Sequence, residues 1–400
     1  LRSPMSCAGD LTITAGTLDT KSGTNHALTV TEAIDCAGNL TCNSSAVQCN
    51  GLRTTGGTVN LPDASGSFTV KGTEFSGYGI YDRAGSGNIV HNSGTVTWDT
   101  GGTSTMYALS TFNNITTTTS STTLRWFSAL TLAGTLTVAA NTTVHEHSSA
   151  GGAFTVNGDV TVSGTLGDSD AYSAYSFGSL TINSGGTYSA TSGTTTVTSE
   201  NSSTGFAMHN NGTFTHNNGT VTFNDNASHI AVNTFYNLII ETGSSTGYIQ
   251  ARTVSGSTIT VANDFTIKEG RWNFDGASNT FTVTGNTLIE SGGVYGYGTG
   301  NTADPDRATG AHNHGSLTIN SGGTFNATSG TTTLTGKNGS NYMLQNSGTF
   351  THNKGTVKFE ADTSSGTWYA TSASSVEANS IKFYNLETVR TGSAGSYRFF

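Results

Sequence analysis

Proline is nearly missing: the chain has 3 prolines in 400 residues, and charged residues make up only 10%. Lys and Arg total 16 against 25 Asp and Glu, giving a net charge of −9. With no basic stripe, nucleic acid is excluded as an expected partner. No apolar run approaches the roughly 18 residues of a membrane-spanning helix, so no membrane span is expected. The apolar share, 34%, is low for a compact enzyme. Disorder is excluded too, because its signature requires high net charge and few β-branched residues. Leu1-Arg2-Ser3-Pro4 is not a signal peptide, so any targeting segment is expected outside this chain.

What is present is Gly, Thr, Ser and Asn, with 52 glycines. Leu180-Thr181-Ile182, Thr194 to Thr198, Thr213-Phe214-Thr215 and Thr220 to Phe223 alternate apolar and hydroxyl residues. Period-two alternation places one set of side chains inward and the Thr/Ser set outward on a strand. The runs are separated by Ser-Gly-Gly, Ser-Gly and Asn-Asn-Gly, which supply the positive φ of tight turns. No amphipathic helical pattern interrupts them.

The chain also repeats itself. GSLTINSGGTYSATSGTTTVT begins at Gly178 and GSLTINSGGTFNATSGTTTLT at Gly315, an offset of 315 − 178 = 137. His-Asn-x-Gly-Thr-Val-x-aromatic occurs at His91–Trp98, His216–Phe223 and His352–Phe359. These features predict an all-β protein made of modules of about 130 residues. A β-solenoid is favoured, because strand-turn-strand phrases recur inside each module, as in Leu130–Val138 and Phe154–Val162. Tandem β-sandwich domains are the alternative. The phase divides the chain into an end half-module at 1–50, a module at 51–177, a second at 178–314 and the first part of a third at 315–400.

Three of these phrases are Gly-Asp-Leu-Thr-Ile-x-Ala-Gly-Thr-Leu-Asp at 9–19, the His-Asn-x-Gly phrase at 212–223 and 348–359, and Phe-Tyr-Asn-Leu at 235–238 and 383–386. Together they resemble the repeats of large secreted bacterial β-strand-repeat surface proteins, adhesin-like and similar to autotransporter passengers. That resemblance implies an extracellular or cell-surface β-solenoid and brings no catalytic motif with it. Phage tail fibres carry similar Gly/Thr/Ser-rich repeats.

The two ends fall at complementary phases of the module, with Leu1 about three residues beyond the phase at which Phe400 stops. One reading is a window of a longer repeat protein. The other is a filament subunit that binds copies of itself head to tail by continuing the β-ladder, with Tyr397, Phe399 and Phe400 set against Leu1 and the strand carrying Leu11 and Ile13.

The stretch before each GSLTIN varies most between copies. It holds Asp168, Asp170, Tyr172, Tyr175 and Phe177 in one, and Tyr295, Tyr297, Asp304, Asp306, Arg307, His312 and His314 in the next. Solenoids place binding residues on such insertions. Rings and carboxylates suit surface glycans or Ca²⁺ held by oxygen ligands; solvated turns with Tyr over a coil edge are the plain alternative. No other cofactor is expected.

Cys7, Cys36, Cys42 and Cys49 all lie in the first fifty residues. Their even number in a low-Lys, Thr/Ser-rich chain predicts disulfides, with three pairings open. No Cys-x-x-Cys spacing supports zinc. His145 and His147 share one strand face without an evident third ligand, and His91, His216 and His352 are expected to make turn hydrogen bonds. No clustered acid pair, nucleophile elbow or phosphate loop is present, so no enzyme activity is expected.

Overall fold

The computed structural model describes residues 1–82, 88–107, 109–120, 123–168, 171–252, 258–274, 279–296, 309–361, 368–371, 381–390 and 397–398. They form strands that pair in parallel, apart from the antiparallel pair Lys21–Ser22 and Thr24–Asn25, joined by turns, with no helix among them. The fold is a parallel β-solenoid with coils of roughly 23 residues, not tandem sandwiches. Contacts divide the chain into two compact units, Leu1–Thr195 with Asn210–Asn217, and Thr196–His209 with Asn218–Phe400.

In the first unit three ladders of strands run from coil to coil. One stacks Leu28, Val47, Phe68, Val96, Ile115, Leu136, Val160 and Leu180 in register. All eight are buried. The next residue of each strand points outward and forms a second column: Thr29, Gln48, Thr69, Thr97, Thr116, Thr137, Thr161, Thr181. Apolar and hydroxyl residues alternate because successive Cβ atoms point to opposite faces of a strand. β-branched Thr suits the outer positions, since it fills a pleated surface and remains wettable. Partners lie between 47 − 28 = 19 and 96 − 68 = 28 residues apart. The variation is absorbed in turns, which leave the register intact.

A second inward column of this unit runs Leu11, Ile34, Leu52, Ile80, Met106, Trp126 and then Glu146. A third runs Leu18, Leu40, Val59, Ile89.

The second unit is built the same way. Phe235, Val261, Val283, His314, Leu334 and Phe359 stack in one column, and Trp272, Tyr295, Phe325 and Phe350 in another. Tyr295 and Phe325 stack at 4.5 Å between centroids, and Phe325 and Phe350 at 5.8 Å. Parallel coils bring like residues over one another, so aromatic stacking repeats along the core.

The sequence repeat has a structural counterpart. Strands Tyr175–Ile182 and His312–Ile319, 312 − 175 = 137 residues apart, share one burial pattern along all eight positions. Gly178 and Gly315, where the repeated phrase begins, lie inside these strands. At each, an added Cβ would meet backbone of the preceding coil, at 2.6 Å from the Asn157 carbonyl oxygen for Gly178 and against the Thr284 carbonyl oxygen for Gly315. The missing side chains let the strand turn a corner against the coil before it.

Candidate functional site

The stretches before the two GSLTIN phrases are not inserted binding loops at their inner residues. Tyr175 is 1% exposed, with its ring against Trp126 at 5.8 Å and Phe154 at 5.9 Å. Burial, with the Glu146 carboxylate second, raises its hydroxyl far above the ordinary tyrosine range. Tyr295 is fully buried and shares a 2.8 Å hydrogen bond between its hydroxyl and His312 Nδ1. Neither ring can face a sugar. Tyr175 opens the strand Tyr175–Ile182 and Tyr295 closes the strand Gly293–Tyr295, and both take inward positions there. Phe177, His312 and His314 are also buried. Asp170, Tyr297, Asp304, Asp306 and Arg307 lie outside the described residues.

Two residues of the first stretch do reach solvent. Tyr172 is 62% exposed. Asp168 Oδ2 lies 2.8 Å from His145 Nδ1. This pairing occupies the carboxylate proposed for Ca²⁺, and no group of three metal-ligating side chains occurs among the described residues. Between His145 and His147, Glu146 turns inward: it is 3% exposed, and its Oε1 accepts a 2.9 Å bond from the Tyr172 backbone N–H. His147 is held below the ordinary histidine range by partial burial first and by Arg125 second.

The disulfide expectation is corrected: all four cysteines are free thiols. Cys36 stacks under Ile13 and over Thr54, and Cys49 pairs with Val70, so both take inward positions of the ladder as small apolar residues. Cys42 is buried as well, and Cys7 is half-buried, donating its S–H to the Asp10 carbonyl. Burial pushes the Cys36 thiol up to about 11 and Cys49 up to about 12, with Cys42 raised still further.

The recurring histidines work at turns. In His-Asn-x-Gly, Asn92 and Ser93 have φ of 45° and 61°, and Asn353 and Lys354 have 45° and 63°. The Gly94 and Gly355 N–H groups each donate to the preceding His carbonyl at 2.9 Å, which closes a type I′ turn. His91 Nδ1 accepts from the Ser93 N–H at 3.1 Å, and His352 Nδ1 from the Lys354 N–H at 2.9 Å. The Asn side chains then reach back one coil, with Asn92 donating to the Leu61 carbonyl and Asn353 to the Ala327 carbonyl, both at 2.9 Å.

Of the residues expected at the ends, Leu11 and Ile13 face inward on the first strands, Ile13 buried and Leu11 half-buried. Leu1 is half-buried, and its amino group donates to the Asp19 carbonyl. Tyr397 lies in the strand Tyr397–Arg398, paired with Trp368 and Tyr369. Phe399 and Phe400 lie outside the described residues.

The sequence reading missed one feature. On the outer face of the first unit, Asp35, Arg53, Tyr81, Tyr107 and Phe127 occupy one outward column in successive coils. Tyr81 and Tyr107 are 5.6 Å apart, Tyr107 and Phe127 5.5 Å, and Phe127 and His147 5.2 Å. Tyr78 stacks on Tyr81 at 4.7 Å. All are half-buried. A cleft of about 390 Å³ beside them is lined by Arg53, Glu74, Phe75, Ser76, Tyr78 and Tyr81. The residues are separated by 107 − 81 = 26 and 127 − 107 = 20 positions, an uneven spacing that no sequence period exposes.

Compared with known proteins, the chain matches no family, no curated protein and no solved structure.

Proposed function

We propose that this chain is a structural subunit of an extracellular fibre, extended head to tail by β-strand continuation between copies. The supporting observation is the edge of its ladder. Among the described residues, strands Met5–Cys7, Leu11–Ile13 and Thr17–Asp19 each pair through one side only. On the open side the Asp19 carbonyl is taken by the Leu1 amino group, while Met5–Cys7 and Leu11–Ile13 present backbone N–H and C=O groups, a template for another chain. In the second unit, Leu386 pairs in register with inward Val357 and is 47% exposed, beside Tyr384 at 58%.

Electron microscopy of the purified chain over a range of concentrations tests this reading. Threads one solenoid wide are expected. The pair Leu11→Asp and Leu386→Asp would bury unpaired carboxylates at the junction, at a cost of several kcal/mol, and should leave separate subunits. Wild-type subunits that stay separate at every concentration, or threads that survive both substitutions, would sink the proposal.

A second reading, a surface adhesin that holds glycans, is favoured by the half-open aromatic column on the first unit. It places the ligand on an outward column of the first unit and not on the buried rings Tyr175 and Tyr295.

A further inference from the structure

The aromatic column contrasts with its surroundings. On a neighbouring ladder of the same unit, the outward column is Thr in seven coils and Gln in one. That composition satisfies an outer strand position by β propensity and hydration alone. From Tyr81 to Phe127 the chain instead leaves three large rings half-open to water in adjacent coils. Half-open rings contiguous over three coils and rimmed by polar groups form a face on which a ligand can pack.

The rim indicates what that is. The Arg53 guanidinium is already committed: its Nε donates to Asp35 Oδ1 at 3.0 Å, and its plane lies 4.7 Å from the Phe75 ring centre. The cation at the cleft end is thereby neutralised and does not invite an anion; Arg125, on the same outward face two residues before Phe127, adds a positive charge at the other end of the column. Glu74 lines the cleft and sits close enough to Glu32 to raise that carboxyl above its ordinary range. With a net charge of −9 on the chain, an acidic polymer would meet repulsion. What suits ring faces, carboxylate acceptors and tyrosine hydroxyls together is a neutral molecule that is apolar on its C–H faces and lined with hydroxyl groups at its edges. A column that repeats one ring per coil suits a ligand that repeats as well, and solenoids offer such extended binding surfaces.

We propose that the face formed by Tyr78, Tyr81, Tyr107 and Phe127, with the Arg53–Glu74 cleft at one end, binds a neutral polysaccharide chain laid along the solenoid. The C–H faces of successive pyranose rings pack on the aromatic rings. Their hydroxyls donate to Glu74 and exchange hydrogen bonds with the tyrosine hydroxyls. This deepens the adhesin reading and does not depend on filament formation.

Isothermal titration of the non-assembling Leu11→Asp/Leu386→Asp chain tests it, so that failure of the fibre reading and failure of this one are read separately. The probes are cellohexaose, chitohexaose and an oligogalacturonate. Binding of at least one neutral hexaose is expected, with the acidic oligomer bound more weakly. Tyr81→Thr with Tyr107→Thr copies the threonine column, keeps strand propensity and should weaken binding by about tenfold or more. Tyr384→Ala, at an exposed ring of the second unit, should leave it unchanged, and circular dichroism checks that each variant keeps its strands. No heat with either neutral hexaose at millimolar concentration would overturn the proposal. So would preference for the acidic oligomer, or binding indifferent to the double threonine variant.

Discussion

His312 and His314 are unusual among the inward residues, because each is an ionisable group where its neighbours in the column are apolar or hydroxyl. His314 stands between Val283 and Leu334 in register, and His312 between Phe281 and Thr332. Their Nδ1 atoms are engaged at 2.7 Å with the Thr287 hydroxyl and 2.8 Å with the Tyr295 hydroxyl. Phe274 packs against His312 at 4.7 Å between ring centres, and Phe325 against His314 at 5.6 Å. In such surroundings an imidazole stays neutral, and burial holds both down to about 3 from the ordinary 6.5. The unfolded chain takes up these protons near pH 6.5 while the folded one refuses them until near pH 3. Their contribution to stability is therefore complete above pH 6.5 and is lost as the pH falls towards 3. Between pH 6.5 and 4.5 the loss is on the order of 2 kcal/mol per histidine. Urea unfolding at pH 7 and pH 4.5 checks this. His312→Leu with His314→Leu should flatten the difference, and an equal pH dependence in the variant would show that other groups carry it.

At the scale of the element, turn and strand differ in how openly the sequence declares them. The strands were legible, because apolar and hydroxyl residues alternate at period two in runs such as Leu180-Thr181-Ile182. The His-Asn-x-Gly turns were legible too, through the positive φ that Asn tolerates. What stayed hidden was the corner. In Tyr175–Ile182 the residues Phe177, Gly178, Ser179 and Leu180 are buried in succession, so alternation slips by one as the strand passes from one face to the next. Read as sequence, that slip looks like the end of a strand, which is why Tyr175 and, in the matching strand, His312 and His314 looked like loop residues. The aromatic column was hidden for a different reason, since it exists only in the register between coils of unequal length. The turns carry a prediction of their own. An added Cβ at Gly355 would run into the Thr328 carbonyl of the coil below. Gly355→Ala should therefore cost roughly 1–3 kcal/mol. Asn353→Gly keeps the positive φ and loses one hydrogen bond to Ala327, which should cost about 1 kcal/mol. Thermal unfolding of the two variants should rank them in that order.

For the molecule as a whole, stability is distributed along the coils. In each unit a residue's partners lie in the coils directly above and below, as the steps from Ile259 to Phe281 to His312 illustrate. Such an architecture behaves as a nearest-neighbour chain, with each coil contributing its own term and an interface term with the next. A defect should therefore weaken its own coil and its neighbours, and its influence should fade beyond them. Phe281→Ala provides the test. Its ring touches Phe265, Trp272 and Phe274 at 5.2 to 5.6 Å, and its removal should cost about 3–5 kcal/mol. Native-state hydrogen exchange should then speed up in the strands Thr258–Val261, Phe265–Phe274, Thr280–Ile289 and His312–Ile319. The strand Thr356–Ala361, two pairings further along the same ladder through Thr331–Leu334, should exchange at close to its wild-type rate. Uniform acceleration over every strand of the second unit would mean that the unit opens as one cooperative body, with the interface terms dominating the coils they join.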